Sequence, residues 1–266
     1  MIQEAEMELA NRVVVITGAA RGIGREMGRR FVKEGLAGLV VCDIDEGELE
    51  AVAKELGAVA VAADVSREEE VARLFGRTMG EFGRVDLVCS NAGVLVSGGL
   101  ETADSEWERS WRVNTWAHVL VARHFVEVVR RQGEGYLLVT VSAAGLLTAP
   151  GAAAYAVTKH AALGLAEWLA VHHAAEGLKV SALCPQFVRT EMVLGAVGAY
   201  ADWMVASATA PEEVAEVVVQ GLKEEKFLIL PHGEVSEYFR RKADDYDRWL
   251  RGMRRFLDKV RDKTAG

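Results

Sequence analysis

The stretch that most constrains the fold is Val13–Asp43. Val13-Val14-Val15-Ile16 is a short apolar, β-branched run, the pattern of a strand buried on both faces. It runs into Thr17–Gly24 (TGAARGIG) and then a segment in which Met27, Phe31 and Val32 make an apolar helical face ending at Gly35. Gly38–Asp43 (GLVVCD) reads as a second strand. A glycine turn between strand and helix leaves backbone N–H groups uncovered at the positive end of the helix dipole, where a pyrophosphate binds. Asp43 lies 19 residues beyond Gly24, where a carboxylate reaches the ribose hydroxyls of an adenine dinucleotide. A glycine turn alone also serves close helix–strand packing. Strand, turn, helix, strand and acid together point to dinucleotide binding.

With 266 residues, half of them hydrophobic, the chain is long enough to bury a large core, and no linker or repeat divides it. The expectation is one domain over 1–266, with 233–266 as a helical extension. Cys42, Cys89 and Cys184 each fall in or just after an apolar strand-like run and form no Cys-x-x-Cys pair, which suggests buried thiols and a cytoplasmic location. The opening MIQEAEMELA is acidic and lacks an apolar signal core, and no stretch is long enough to span a membrane. A net charge of −8 argues against a nucleic-acid partner. The six histidines show no metal-ligand spacing, so no metal is expected.

Strand and helix patterns keep alternating after Asp43. Further strands are predicted at Ala58–Ala63, Val85–Ser90, Tyr136–Val141, Lys179–Cys184 and Phe227–Leu230. Helices are predicted over Glu46–Leu56, Arg67–Phe82, Ser105–Arg131, Ala153–Glu176 and Pro211–Glu224, with Ser66 and Glu69 forming a capping box for the second of these. Such alternation implies right-handed crossovers: an α/β, doubly wound, seven-stranded parallel sheet with helices on both faces. Ligands of such sheets bind at the carboxyl ends of the strands, and Asn91, Ser142 and Pro185 all follow strand ends.

Tyr155 and Lys159 stand four residues apart, on one face of a helix. A phenol is a poor base near neutrality, with an ordinary pKa of about 10, and a neighbouring ammonium and a cationic nicotinamide both favour the phenolate. Tyr155 is then able to take a hydroxyl proton as a hydride leaves carbon, or to return it in the reverse direction. Ser142, on a strand-end loop 13 residues earlier, is placed to donate a hydrogen bond to the substrate oxygen. Each element alone is common by chance; their combination carries the reading.

With these residues in view, the chain up to about Pro231 resembles the short-chain dehydrogenases/reductases, a Rossmann-like family. Gly18, Arg21, Gly22, Ile23 and Gly24 match its cofactor turn, Asp64-Val65 its adenine-side element, and Asn91-Ala92-Gly93 its sheet-stabilising motif. The resemblance implies a catalytic set of Asn114, Ser142, Tyr155 and Lys159, with Lys159 also on the nicotinamide ribose and Asn114 supporting a water chain to Lys159. It further implies that Pro185, Val188 and Thr190 meet the cofactor, Thr190 at the carboxamide. One departure is Pro185-Gln186, where the family usually has Pro-Gly. The family likeness also implies a homodimer or homotetramer built on the helices around Ser105–Arg131 and Ala153–Glu176.

Asp43 favours NAD, because it accepts from both ribose hydroxyls and repels a 2′-phosphate. Arg21 is the contrary signal for NADP. Leu95, Val96, Leu146, Leu147, Gln186, Phe187, Met192, Val193 and Trp203 are substrate-pocket candidates by position, mostly apolar, as suits a secondary alcohol or ketone with a hydrophobic body. No arginine pair stands out for an anionic substrate. Glu234–Gly266 carries ten Lys/Arg and seven Asp/Glu, and Phe239, Tyr246, Met253 and Val260 recur every seven residues, with Trp249 and Phe256 between them. That pattern predicts one amphipathic helix, packed on protein or capping the substrate mouth, rather than lying on a membrane. Three readings follow: an NAD-dependent secondary-alcohol dehydrogenase, an NADPH-dependent carbonyl or ketoacyl-type reductase, or a dinucleotide-binding regulatory protein without turnover.

Overall fold

The β-branched runs form a seven-stranded, wholly parallel sheet in a computed structural model that describes residues 7–195 and 201–264, with side chains at all of these except 201–203 and 260–264. The side chains of Trp203 and Val260 therefore lie outside the described residues. The chain runs β1 (Val13–Thr17), α1 (Gly22–Val32), β2 (Gly38–Asp43), α2 (Glu46–Leu56), β3 (Val59–Ala62), α3 (Glu68–Phe82) and β4 (Leu87–Ser90). It continues through α4 (Asp104–Trp111), a π turn (Arg112–Trp116), α5 (Ala117–Gln132), β5 (Gly135–Thr140), α6 (Ala143–Leu146) and α7 (Ala153–His172). After β6 (Leu178–Leu183) come α8 (Glu191–Leu194), α9 (Ala201–Ala206), α10 (Pro211–Lys223), β7 (Leu228–Ile229), α11 (Glu234–Asp244) and α12 (Tyr246–Thr264).

Strand order is β3-β2-β1-β4-β5-β6-β7. The chain winds outward to β3 and then returns to pair β4 against the other side of β1, with Val15 opposite both Val40 and Val88. A crevice necessarily opens where the direction of winding reverses, above the carboxyl ends of β1 and β4. Helices cover both faces. Val14 and Ile16 point to the layer of Met27, Phe31, Val214 and Val218, while Val15 points to the layer of Leu74, Phe75 and Phe125. Burial on both faces is why the strands read as unbroken apolar runs rather than alternating ones. Phe31, completely buried, is the kind of anchor whose truncation to alanine costs about 3–5 kcal/mol.

Four local expectations are corrected. Ser66 does not cap α3: the helix starts a residue later, its flanking Arg67 makes no side-chain cap, and Glu70 instead reaches back to the Asp64 N–H at 2.7 Å. The helix predicted over Ser105–Arg131 is interrupted by the π turn, which inserts one residue and leaves a carbonyl outside the helical ladder. The helix predicted through Glu176 ends at His172, followed by a single 3₁₀ turn over Ala174–Glu176. The tail is two helices, broken at Asp245 where the backbone is extended (φ −151°, ψ 91°), so Phe239 and Tyr246 do not share one continuous seam. Among the described residues no helix is long and apolar enough to cross a membrane.

Candidate active site

The carboxyl ends of the strands open into a cleft of about 1920 Å³ that runs from the glycine turn to the tail. At one end the turn is closed to side chains. Gly18 has φ +64°, and a Cβ there would lie 2.8 Å from the Ala92 Cα; a Cβ on Gly24 would lie 2.1 Å from the Gly18 carbonyl oxygen. A backbone stripped of side chains at a helix N-terminus is the cradle an anionic diphosphate needs. Gly18, Arg21, Gly22 and Ile23 form the cleft wall, whereas Gly24 lies beneath the turn and holds its shape without reaching the cleft. Asn91 fixes the turn to the sheet: its Nδ2 donates to the carbonyls of Thr17 (3.0 Å) and Gly18 (3.2 Å), and its Oδ1 accepts from Thr140 Oγ1 at 3.0 Å. Asp64, Val65, Gly93, Pro185, Val188 and Thr190 complete this end.

Asp43, half-buried at the end of β2, accepts N–H bonds from Ala20 (3.0 Å) and Asp45 (3.2 Å), which hold its carboxylate at the lip of the cleft. Arg21 is engaged elsewhere, in ion pairs with Asp45 and Glu191. The adenosine end therefore presents a fixed carboxylate and a cation already neutralised by two acids.

Midway along the cleft Ser142, Tyr155 and Lys159 come together, brought there by the end of β5 and the first turns of α7. Lys159 is buried; its Nζ donates to the Thr140 carbonyl at 2.9 Å and lies 5.7 Å from the centre of the Tyr155 ring. Burial pushes the ammonium down to about 8, against a small opposing effect of Cys184. Burial also raises the Tyr155 phenol, with the Ser142 hydroxyl drawing it partly back. The lowering of the phenol expected from the sequence needs the ammonium and a cationic nicotinamide together; in this cleft desolvation is the largest effect on Tyr155. The Ser142 hydroxyl accepts from the Ala144 N–H at 3.1 Å, has a long contact of 3.4 Å to the Pro185 carbonyl and faces the Tyr155 hydroxyl, so it shares one corner of the cleft with the phenol.

Asn114 does not line the cleft. It is fully buried behind Gly93, within the π turn, and its amide is well bonded: Oδ1 accepts from the Val94 N–H (2.8 Å), and Nδ2 has acceptors at Val94 O (2.9 Å), Ser110 Oγ (3.1 Å) and Thr158 Oγ1 (3.2 Å). Its side chain positions the segment after β4 and α7 relative to each other, and cannot itself meet a substrate. His118, two residues past the π turn, was not singled out by spacing. It is buried with Nδ1 2.6 Å from Ser90 Oγ, and burial beside Lys159 holds it neutral, with its pKa down at about 3.

On the substrate side Leu95, Gln186, Phe187 and Met192 line the cleft as expected by position. Leu146 does not: it is 2% exposed and packs in the core, because the single turn of α6 carries it inward and turns Leu147 to the cleft instead. Val96 is likewise buried away from the wall. The side chain at Gln186 fits because its backbone avoids the positive φ that would demand glycine. His232 braces that loop, accepting from the Gln186 N–H at 3.1 Å on Nδ1 and donating from Nε2 to the Phe187 carbonyl at 3.1 Å.

The tail closes the far end with Tyr238, Trp249, Met253 and Phe256. It is clasped by Lys242, a buried residue whose Nζ donates to the carbonyls of Leu146 and Leu147, 2.8 Å each, and lies over the rings of Tyr246 (5.3 Å) and Trp249 (5.0 Å). An ammonium with two carbonyls and two aromatic faces is a satisfied buried cation. Its partners lie 96 and 95 residues away in sequence, which is why no local pattern flags it. The described residues hold no cluster of His, Cys, Asp or Glu placed to bind a metal ion.

A parallel sheet of this order, a side-chain-free diphosphate cradle, and serine, tyrosine and lysine on one rim define a dinucleotide-dependent oxidoreductase scaffold. The short chain dehydrogenase family model matches residues 12–197, and the chain belongs to that family. Over 251 residues it is 38% identical to 1-deoxy-11-beta-hydroxypentalenate dehydrogenase of Streptomyces exfoliatus, covering 90% of each chain. It is 34% identical over 221 residues to meso-2,3-butanediol dehydrogenase of Serratia marcescens, covering 80% of this chain and 87% of that one. Its fold superposes with a TM-score of 0.84 on a short chain dehydrogenase/reductase from Burkholderia phymatum solved in complex with NAD, at 29% identity and covering 91% and 96% of the two chains.

Proposed function

We propose that the chain is an NAD(H)-dependent oxidoreductase that interconverts a secondary alcohol and a ketone with a hydrophobic body. The observation that carries this reading is the placement of Ser142, Tyr155 and Lys159 between the glycine cradle and an apolar pocket within one cleft. The glycine cradle, Asp43 and the Lys159 ammonium suit a nicotinamide dinucleotide, which when bound supplies the hydride acceptor or donor. The Tyr155 hydroxyl takes the substrate's hydroxyl proton in oxidation and returns it in reduction. Ser142 donates to the substrate oxygen, steadying charge as it develops there. Lys159 carries a proton at neutral pH yet, at about 8, is poised to give it up, so it offsets the cost of a phenolate on Tyr155 and can replenish that proton.

Asp43 supports NAD over NADP. A 2′-phosphate would sit against a carboxylate held by two N–H groups, while Arg21, the cation the NADPH reading relies on, is paired with Asp45 and Glu191. The relatives named as hydroxypentalenate and butanediol dehydrogenases are consistent with a hydroxyl or keto substrate. Assembly is part of the same reading: Trp111, Val157, Trp168 and Val171 are large apolar side chains left exposed on α4 and α7, supporting a homodimer or homotetramer through those helices. Steady-state rates on a panel of secondary alcohols and ketones with each cofactor, followed by the absorbance of the reduced nicotinamide, test the proposal. No turnover with any pair, despite cofactor binding, would leave a non-catalytic dinucleotide-binding protein instead.

A further inference from the structure

The charge of the cleft is divided along its length. At the glycine-turn end one arginine, Arg21, faces the carboxylates of Asp43, Asp45, Asp64 and Glu191. At the tail end five arginines line the wall, from α4, the π turn and the two tail helices, against three carboxylates, Glu108, Asp244 and Asp245. In a chain of net charge −8 this local excess of cations is not a reflection of overall composition. Three of the five are engaged: Arg109 pairs with Glu106, Arg112 with Glu108 and Arg241 with Glu237. Arg248 and Arg255 form no ion pair among the described residues.

Arg248 and Arg255 are seven residues apart on α12, two turns along one face, about 10 Å from one Cα to the other. Trp249, Met253 and Phe256 line the cleft beside them, so this helix brings an apolar stripe and a cationic stripe to the same opening. Arg251, three residues from one and four from the other, shares their side of the helix without lining the cleft, and Arg254 lies about a third of a turn away and does not line it either; all four are exposed. Lys242 fixes which face is inward, since its bonds to the Leu146 and Leu147 carbonyls seat the tail on the loop that follows Ser142. In the sequence no arginine pair stands out for an anion; with the chain broken at Asp245, the second tail helix brings Arg248 and Arg255 to one wall of the cleft.

The geometry points to a substrate with an anionic head group, held by Arg248 and Arg255, on a hydrophobic body that extends along Trp249, Met253 and Phe256 to the reacting carbon at Tyr155. This rests on the dehydrogenase reading above and specifies its substrate class. Guanidinium forks match carboxylate and phosphate oxygens alike.

The test uses the full chain and needs no turnover. Decanoate, decyl phosphate and 1-decanol are titrated calorimetrically into wild type, into Arg248→Gln/Arg255→Gln, and into an outer pair, Arg240→Gln/Arg254→Gln, which removes the same charge from exposed tail positions that do not line the cleft. Wild type is expected to bind at least one of the two anions about 10-fold or more tighter than the alcohol, a preference of the size that charge-assisted bonds give. The inner pair of substitutions is expected to abolish that preference with alcohol binding unchanged, and the outer pair to leave it intact. The better of the two anions then says whether the head group is a carboxylate or a phosphate. Equal binding of anions and alcohol, no binding of either anion, or an equal loss in the outer variant overturns the proposal. Normal anion binding in a protein that turns over no alcohol or ketone would instead defeat the dehydrogenase reading while leaving the anion site standing.

Discussion

Lys159 should make the protein less stable than it would be without it, and the effect has a definite pH signature. Its ammonium is buried and its pKa falls from 10.5 to about 8. At roughly 1.4 kcal/mol per pH unit, keeping the charge in the cleft costs the folded state about 3 kcal/mol near neutrality. Lys159→Met removes that penalty and preserves most of the volume, but leaves the Thr140 carbonyl without its donor, a loss of about 1–3 kcal/mol. The net expectation at pH 7 is a variant more stable by about 1 kcal/mol, or about 2 °C in Tm for a chain of this length, and inactive. The sign follows from proton counting. Between about pH 8 and 10.5 the unfolded wild type holds a proton the folded state has released, so wild-type stability rises with pH relative to the variant. The gap should close and then reverse by pH 10, where less than about 1 kcal/mol of the penalty remains and the lost hydrogen bond outweighs it. Urea unfolding of both proteins at pH 7 and pH 10 measures this. A variant less stable at pH 7, with a gap that does not change with pH, would show that Lys159 carries no burial penalty.

Tyr155→Phe is expected to bind NADH as wild type does while turnover falls roughly 10²–10⁴-fold, measured at saturating substrate. Asp43→Ala should move the kcat/KM ratio of NADP to NAD upward on the order of 10- to 100-fold, by relieving like-charge repulsion at a half-exposed site. Gly24→Ala, whose Cβ would strike the Gly18 carbonyl oxygen, should lower stability by roughly 1–3 kcal/mol and abolish NADH binding, read by thermal melting and fluorescence titration. Lys242→Met should raise KM with little change in cofactor affinity, because it unseats the tail from the Leu146 and Leu147 carbonyls without touching the glycine turn.

The sheet and the glycine turn were legible because their causes are local. A strand buried on both faces must be apolar throughout, and β2 and α2 begin and end at the residues expected. Asp43, Ser142, Tyr155 and Lys159 sit at strand ends and helix starts whose positions follow from that alternation. The remainder depends on phase and on distant partners. One residue, or about 100° of helix, decides that Leu147 rather than Leu146 faces the cleft. The π turn at Arg112–Trp116 has no residue code, since nothing in RVNTW forbids an ordinary helix. Asp245 breaks the tail without a glycine or proline to announce it. The basic cleft wall exists only because that break, and a lysine bonded to carbonyls across the fold, aim α12 inward.

The Lys242 clasp also separates folding from competence in time. All seven strands precede Lys242 in the chain, so the sheet and the cofactor cradle can form during synthesis while the Leu146 and Leu147 carbonyls still lack their donor. The loop that follows Ser142 takes its final form only after α11 has emerged and docked. The same order holds in reverse: a protease cutting between Pro231 and Lys242 would release the clasp and leave the sheet intact. Such a nicked protein would keep its sheet and glycine turn while the far end of the cleft lost its fastening.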